Sequence, residues 1–285
     1  MAEDGYRHLE VVPSAGEIGA EIGGLDLATE LPDEAVAEIR RAWLAHLVVF
    51  FRDQPLDPEQ FLAFARRIGE PVEYPFVAGI EGYPEIIAVT KLPHETVNFG
   101  GIWHSDTAYL ERPPMATFLV AREVPPYGGD TLWSNMYAAY EALSPGLRRV
   151  LDGLRAISTS ALADVSKTRE DRIRESAPDV AEEVDEGYVA EHPVVRTHPE
   201  TGRKALYVSV AHTQRFCDMT EEESRPLLQF LFAHSVRPEF TCRFRWQVGS
   251  LALWDNRCAM HNPINDYHGH TRTLHRITLA GDVPR

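Results

Sequence analysis

Two residues of the chain are placed to share one metal ion: His104 and Asp106, in Gly100-Gly101-Ile102-Trp103-His104-Ser105-Asp106. With one residue between them on an extended backbone, the imidazole and the carboxylate point to the same side. They can then take adjacent positions on a metal. A second histidine from a distant strand would complete a two-His, one-carboxylate facial set. That set leaves coordination positions open and suits non-haem Fe(II) that must bind an organic acid and oxygen together. The pair alone decides nothing, because a chain with 12 histidines readily contains such a spacing by chance.

Elsewhere, a Gly128-Gly129-Asp130-Thr131 turn follows, and near the C-terminus come Trp254-Asp255-Asn256-Arg257, His261, Arg272 and Arg276. Taken alone, Gly128-Gly129 is a hairpin turn and Arg272 a surface arginine. Arg276 lies four residues after Arg272, a spacing that returns to the same face of a strand.

These residues must be positioned by something, and composition limits what. The chain has 285 residues, 44% of them hydrophobic, enough for one large core. Its net charge of -15, from 28 basic and 43 acidic side chains, repels phosphate backbones and argues against a nucleic-acid partner. Three cysteines with no CxxC spacing fit a reducing compartment better than a disulfide framework. No stretch has the length or apolarity of a membrane span, so a cytoplasmic location with no membrane partner is expected. A homo-oligomer is left open.

Hydrophobic periodicity predicts helices opening at Pro32, with Val36, Ile39, Trp43 and Leu47 inward, and near Pro58, with Phe61, Phe64, Ala65 and Ile68 inward. Ser144-Pro145 and the Thr220/Glu223 capping box start two more. Strands are predicted at Ile18–Leu25, Val48–Phe51, Glu85–Thr90, Thr117–Arg122, Val194–Thr197, Leu206–Val208, Phe244–Val248, Leu251–Trp254 and Ile277–Ala280. Lys91–Gly101 reads as a mobile loop entering the site. Asp164–Gly187, dense in charge, reads as a solvated helical excursion or a mobile flap. Many short strands with helices at the start and inserted later point to one domain over 1–285, mostly β with helices: a two-sheet jelly roll.

With these segments in hand, the sequence resembles the taurine dioxygenase and aryloxyalkanoate dioxygenase family of Fe(II), 2-oxoglutarate-dependent oxygenases. The resemblance spans nearly the whole chain. It is carried by Trp103-His104-Ser105-Asp106, Pro113-Pro114, Gly128–Thr131, Tyr140–Ser144, His198-Pro199 through Leu206-Tyr207-Val208, Trp254–Arg257, His261, Arg272 and Arg276. It implies a double-stranded β-helix and the iron ligands His104, Asp106 and His261. It also implies that 2-oxoglutarate has its distal carboxylate held by Arg272 with Thr131, since the planar guanidinium can make two charge-assisted hydrogen bonds. Arg276 is allowed either a cosubstrate or a substrate role.

The implied reaction is oxidation of a small anionic organic molecule, a sulfonate, sulfate ester, aryloxyalkanoate or amino-acid-like compound, with O2 as second cosubstrate and release of succinate and CO2. Substrate-pocket candidates are Tyr74, Phe76, Asn98, Phe99, Thr107, Tyr109, Tyr207, Ser209 and Arg276. The early loop Glu70–Phe76 lacks the histidine that taurine enzymes use to hold sulfonate, and Glu73 there would repel an anion, which argues against taurine itself. Alternatives are a non-catalytic jelly-roll ligand-binding protein, disfavoured by the intact set of three ligands and two arginines, and an oxygenase of the same class performing desaturation or cyclisation. A halogenase is disfavoured by Asp106, because halide normally takes the carboxylate's place.

Overall fold

The strand Val48–Phe51 is apolar at every position because both of its faces are covered. Val49 and Phe51 pack outward against Trp43 and Phe64 of two helices, whereas Val48 and Phe50 pack inward with Trp133 and Trp254. Each such side chain contributes roughly 1.5–3 kcal/mol when fully buried. In this computed structural model, which describes residues 5–162 and 187–285, the strand belongs to an eight-stranded sheet. The order is Glu10–Pro13, Ala20–Gly23, Val48–Phe51, Leu251–Asp255, Ala116–Glu123, Arg272–Leu279 and Pro71–Val72, with Ile87–Lys91 also on Arg272–Leu279. All pairings are antiparallel except Ala20–Gly23 with Val48–Phe51.

A second sheet, Thr241–Phe244, Thr131–Asn135 and Ala259–Pro263, contributes Trp133, Phe244 and Met260 to the same interior as Phe50, Leu119, Trp254 and Leu274 of the first. The layers are those of a jelly roll. Phe50 and Phe244 stack across them at 4.0 Å between ring centroids.

Helices Asp33–His46 and Pro58–Ile68 cover the outer face of the large sheet. The second is closed by a capping box between Asp57 and Gln60, and Glu221–Ser235 by the one expected between Thr220 and Glu223. Three strand expectations are corrected, the first being Leu206–Val208: the strand runs over Lys204–Leu206, where it pairs with Val195–Thr197, and Tyr207 and Val208 lie beyond it. The chain leaves the second sheet at Phe244, opposite Thr131, so Trp246 lies beyond the strand rather than within Phe244–Val248. The last strand begins at Arg272, not at Ile277, which places both arginines on it. A further sheet of Thr213–Phe216, Arg155–Thr159 and Val189–Pro193 has no clear apolar alternation and was not anticipated. The Asp164–Gly187 segment lies outside the described residues except for Gly187.

Candidate metal centre and its two chambers

Strand pairing brings the distant histidine to the His-x-Asp pair. His104 and His261 form an isolated antiparallel bridge, with His104 N–H donating to His261 C=O at 3.0 Å and the reverse bond at 2.8 Å. The extended conformation ends there: Asp106 opens a turn, and Thr107 has φ of 41°. A non-glycine residue in the left-handed region stores strain, and such residues cluster at functional sites. Ligating atoms of His104, Asp106 and His261 all lie within 4.8 Å of one another. Asp106 Oδ1 is 3.6 Å from His104 Nε2 and 3.9 Å from His261 Nε2.

The hydrogen bonds around this trio leave metal-binding lone pairs facing inward. His104 Nδ1 lies 2.7 Å from the Ile102 carbonyl, an acceptor, so Nδ1 carries the proton and Nε2 presents its lone pair. Gly100 sits against that ring with φ of +69°, and a Cβ there would come within 2.9 Å of His104 Cε1. Thr117 Oγ1 donates to Asp106 Oδ2 at 2.6 Å. Burial alone would raise the Asp106 pKa, but Arg276, His261 and His104 together hold it well below the usual carboxylate range. Burial, reinforced by His104 and Arg276, pushes His261 well below the ordinary histidine value, so its ring stays neutral as a ligand requires.

Two chambers meet on this trio and share Phe99, Gly100, His104, Asp106 and Arg276. The first runs past Leu119 and Leu274 to Thr131 and Arg272. Arg272 is buried, and among the described residues no carboxylate pairs with it. Its Nη2 approaches Thr131 Oγ1 at 3.4 Å, and its Nε has no hydrogen-bond partner. Gly129, with φ of +69°, lets the backbone pass beside Arg272, where a Cβ would lie 3.1 Å from Cδ. Trp246 Nε1 donates to Thr131 Oγ1 at 3.0 Å, which leaves the Thr131 hydroxyl proton free to donate elsewhere. A buried, unpaired guanidinium beside a hydroxyl donor fits a dicarboxylate.

The second chamber is lined by Tyr74, Ile102, Thr107, Tyr109, Ala211 and His212 besides the shared residues. Tyr74, Phe99, Thr107, Tyr109 and Arg276 therefore lie where substrate candidates were expected. The other four lie elsewhere. Phe76 packs behind the wall against Tyr74 and Tyr109. Asn98 holds its loop, donating to Pro263 C=O and accepting from the Tyr267 hydroxyl. Tyr207 and Ser209 are buried but line neither chamber. Glu73 is exposed and lies on neither lining, so it is no barrier to an anion.

Arg276 stands at the junction. Its Nη2 is 2.9 Å from Asp106 Oδ1, an ionic contact without hydrogen-bond alignment, and its guanidinium lies 4.8 Å from the centre of the Tyr74 ring. The sequence reading missed Thr117, Trp246 and His212. A buried histidine 6.0 Å from the His104 ring carries no local signal in sequence. A larger surface cleft around Leu27, Gln60 and Arg67 shares no lining residue with the centre.

The Lys91–Gly101 loop is tied to the segment 263–267 by side-chain hydrogen bonds. Lys91 donates to Asn265 and Asn265 to Thr96 C=O, in addition to the two Asn98 bonds.

Comparison with known proteins agrees with this geometry. The chain is similar to an α-ketoglutarate-dependent sulfate ester dioxygenase of Pseudomonas putida, 36% identical over 97% of this chain and 91% of that one. It superimposes on a taurine dioxygenase structure from Burkholderia xenovorans with TM-score 0.81 and 39% identity, covering 98% and 93% of the two chains. A structure of AAD-2 in complex with Mn(II) and N-oxalylglycine superimposes with TM-score 0.78 and 28% identity, covering 97% and 98%. Residues 10–278 match the family model described as taurine catabolism dioxygenase TauD, TfdA family. The fold, the buried His-Asp-His cluster and the arginine-ended chamber thus lead to one conclusion: the chain belongs to the TauD/TfdA family and is a 2-oxoglutarate-dependent non-haem iron dioxygenase.

Proposed function

We propose that the chain, acting as one catalytic domain, hydroxylates a small anionic organic substrate at a carbon held over the metal centre, cleaving the C–heteroatom bond where that carbon bears a sulfate ester, sulfonate or aryl ether. The observation that carries this reading is the meeting of two chambers on one His-Asp-His trio, one ending on an unpaired buried arginine and the other lined by aromatic side chains. His104, Asp106 and His261 hold Fe(II). Arg272 and Thr131 hold the distal carboxylate of 2-oxoglutarate. Iron with 2-oxoglutarate and O2 supplies the oxidising power and yields succinate and CO2.

The chain's own residues orient and exclude. Tyr74, Phe99, Ile102 and Tyr109 give the substrate an apolar seat and keep water out. Arg276 compensates Asp106, and its N–H groups without aligned acceptors are left for an anionic substrate group. Among the described lining residues, Asp106 is the one carboxylate, so a substrate ammonium finds no counter-ion there. That favours sulfate esters and aryloxy acids over amino sulfonates such as taurine.

The test is a succinate-release screen over alkyl sulfate esters, alkanesulfonates, aryloxyalkanoates and amino acids, with product masses determined. Oxygenated or cleaved product from an apolar monoanion is expected. Coupled turnover of a zwitterion alone would overturn the substrate reading. A product two mass units lighter than its substrate would point instead to desaturation or cyclisation.

A further inference from the structure

Behind Asp106 runs a chain of hydrogen bonds whose direction is set at its far end. Trp254 Nε1 donates to Asn256 Oδ1 at 2.9 Å, and an indole N–H can only donate. That fixes which way the Asn256 amide faces. Its Nδ2 then points to Thr117 Oγ1, 2.8 Å away and 139 residues earlier in the chain. Because the amide nitrogen can only donate, the Thr117 oxygen accepts there and its proton goes to Asp106 Oδ2, at 2.6 Å. The same Asn256 Oδ1 also faces the Asp106 backbone N–H at 3.4 Å. Thr117 and Asn256 are 0% exposed and Trp254 1%, so water does not replace these bonds. The Trp254 ring lies 4.7 Å from the ring of His261, so one tryptophan braces two of the three ligands.

We infer that Trp254, Asn256 and Thr117 are positioning residues that hold Asp106 as a one-oxygen ligand. The Thr117 hydroxyl occupies Oδ2 and opposes rotation of the carboxylate, which leaves Oδ1, 3.6 and 3.9 Å from the two histidine nitrogens and 2.9 Å from Arg276 Nη2, as the oxygen that would reach an ion. This rests on the assignment of His104, Asp106 and His261 as the metal site. Its consequence is read at the metal, in affinity and carboxylate denticity: Thr117 and Asn256 line neither chamber, and Trp254 alone of the three borders the first.

The experiment is anaerobic titration of the full chain with Co(II), read by stoichiometry, affinity and the visible ligand-field spectrum. Thr117→Val keeps shape but removes the donor, and should weaken Co(II) binding about 10–100-fold, the range typical of groups that orient metal ligands. Its spectrum should shift as Asp106 becomes free to bind through both oxygens. Thr117→Ser, which restores the hydroxyl, should return affinity to within about threefold and recover the original spectrum. Trp254→Phe keeps the ring but frees the Asn256 amide to flip, and should give a smaller loss than Thr117→Val. Near-ultraviolet circular dichroism of the metal-free variants separates loss of fold from loss of metal. If Thr117→Val is misfolded, Trp254→Phe with unchanged affinity and spectrum overturns the inference. A folded Thr117→Val that binds Co(II) like the unsubstituted chain also overturns it. If the unsubstituted chain binds no Co(II), the metal-site assignment itself fails, which is a different result.

Discussion

Among the described residues, two buried groups bring together histidine, aspartate and a third potential ligand, and one of the two is built to bind an ion. In His198, Asp255 and Cys258, ligating atoms also lie within 4.8 Å of one another. There, however, every lone pair is spoken for. His198 Nδ1 accepts from the backbone N–H groups of Glu200 and Thr201, so its Nε2 carries the proton and donates to Asp255 Oδ2 at 3.0 Å. Arg257 grips both oxygens of the same carboxylate, at 2.8 and 2.7 Å, and reaches on to Glu200. Burial pushes the Cys258 thiol well up, and Asp255 adds to the effect. In the other cluster the His104 proton is drawn away from the centre, and Asp106 has one oxygen occupied by Thr117 and the other toward the histidines. Proximity of ligand types is therefore not enough. Both carboxylates have an arginine nearby, but Arg276 meets only Oδ1 of Asp106 and without hydrogen-bond alignment, whereas Arg257 binds both oxygens of Asp255; that grip, and which histidine nitrogen carries the proton, separates a structural knot from a metal site.

The largest expected effect tests the first cluster. Asp106→Ala removes a ligand and leaves Arg276 without its anion, and should abolish substrate-dependent succinate release, measured against the metal-free chain. Retained turnover would break the comparison. Next comes the cosubstrate end. Arg272→Ala should weaken 2-oxoglutarate binding by about 3–5 kcal/mol, roughly two to three and a half orders of magnitude, because a carboxylate would be buried unpaired. Thr131→Ala removes one hydrogen bond and should cost about 1.5 kcal/mol. Anaerobic titration followed by the visible charge-transfer band measures both. Equal losses would mean that Arg272 is not the main anchor.

The second cluster should respond in stability rather than in chemistry. Asp255→Asn leaves buried Arg257 with Glu200 as its one remaining carboxylate among the described residues and should destabilise the chain by about 3 kcal/mol in urea, with metal stoichiometry unchanged. A smaller effect sharpens the same point through pH. Burial would raise the Asp255 pKa, but Arg257 and His198 outweigh it and hold it well below the usual range. A carboxyl whose native value is depressed adds stability above its unfolded value of about 3.9 and loses it as pH falls below that. The urea midpoint of the unsubstituted chain should therefore drop more steeply below about pH 4 than that of Asp255→Asn. Parallel curves would show that the pair contributes nothing through ionisation.

What was legible in sequence follows from these physics. The ligand types, the same-face spacing of Arg272 and Arg276, the apolar run Val48–Phe51 and the Thr220 cap are all local patterns, and they appear in the structure as read. Trp246 against Thr131, and Thr117 between Asp106 and Asn256, are contacts made by sheet pairing across 115 and 139 residues. No local pattern announces them. Asn98 and Tyr207 looked like pocket residues because polar and aromatic side chains near a site have two uses, and here Asn98 secures a loop while Tyr207 is enclosed beside Arg196. The bonds of the Lys91–Gly101 loop to Pro263, Asn265 and Tyr267 were likewise not legible, because all three partners lie more than 160 residues away in sequence.

The most direct test of the account is the number of Fe(II) ions bound under anaerobic conditions by four proteins: the unsubstituted chain, His104→Ala, His261→Ala and Cys258→Ser. The account predicts one ion for the unsubstituted chain and for Cys258→Ser, and none held tightly by either histidine variant. Iron retained by both histidine variants and lost from Cys258→Ser would place the metal in the other cluster and contradict it.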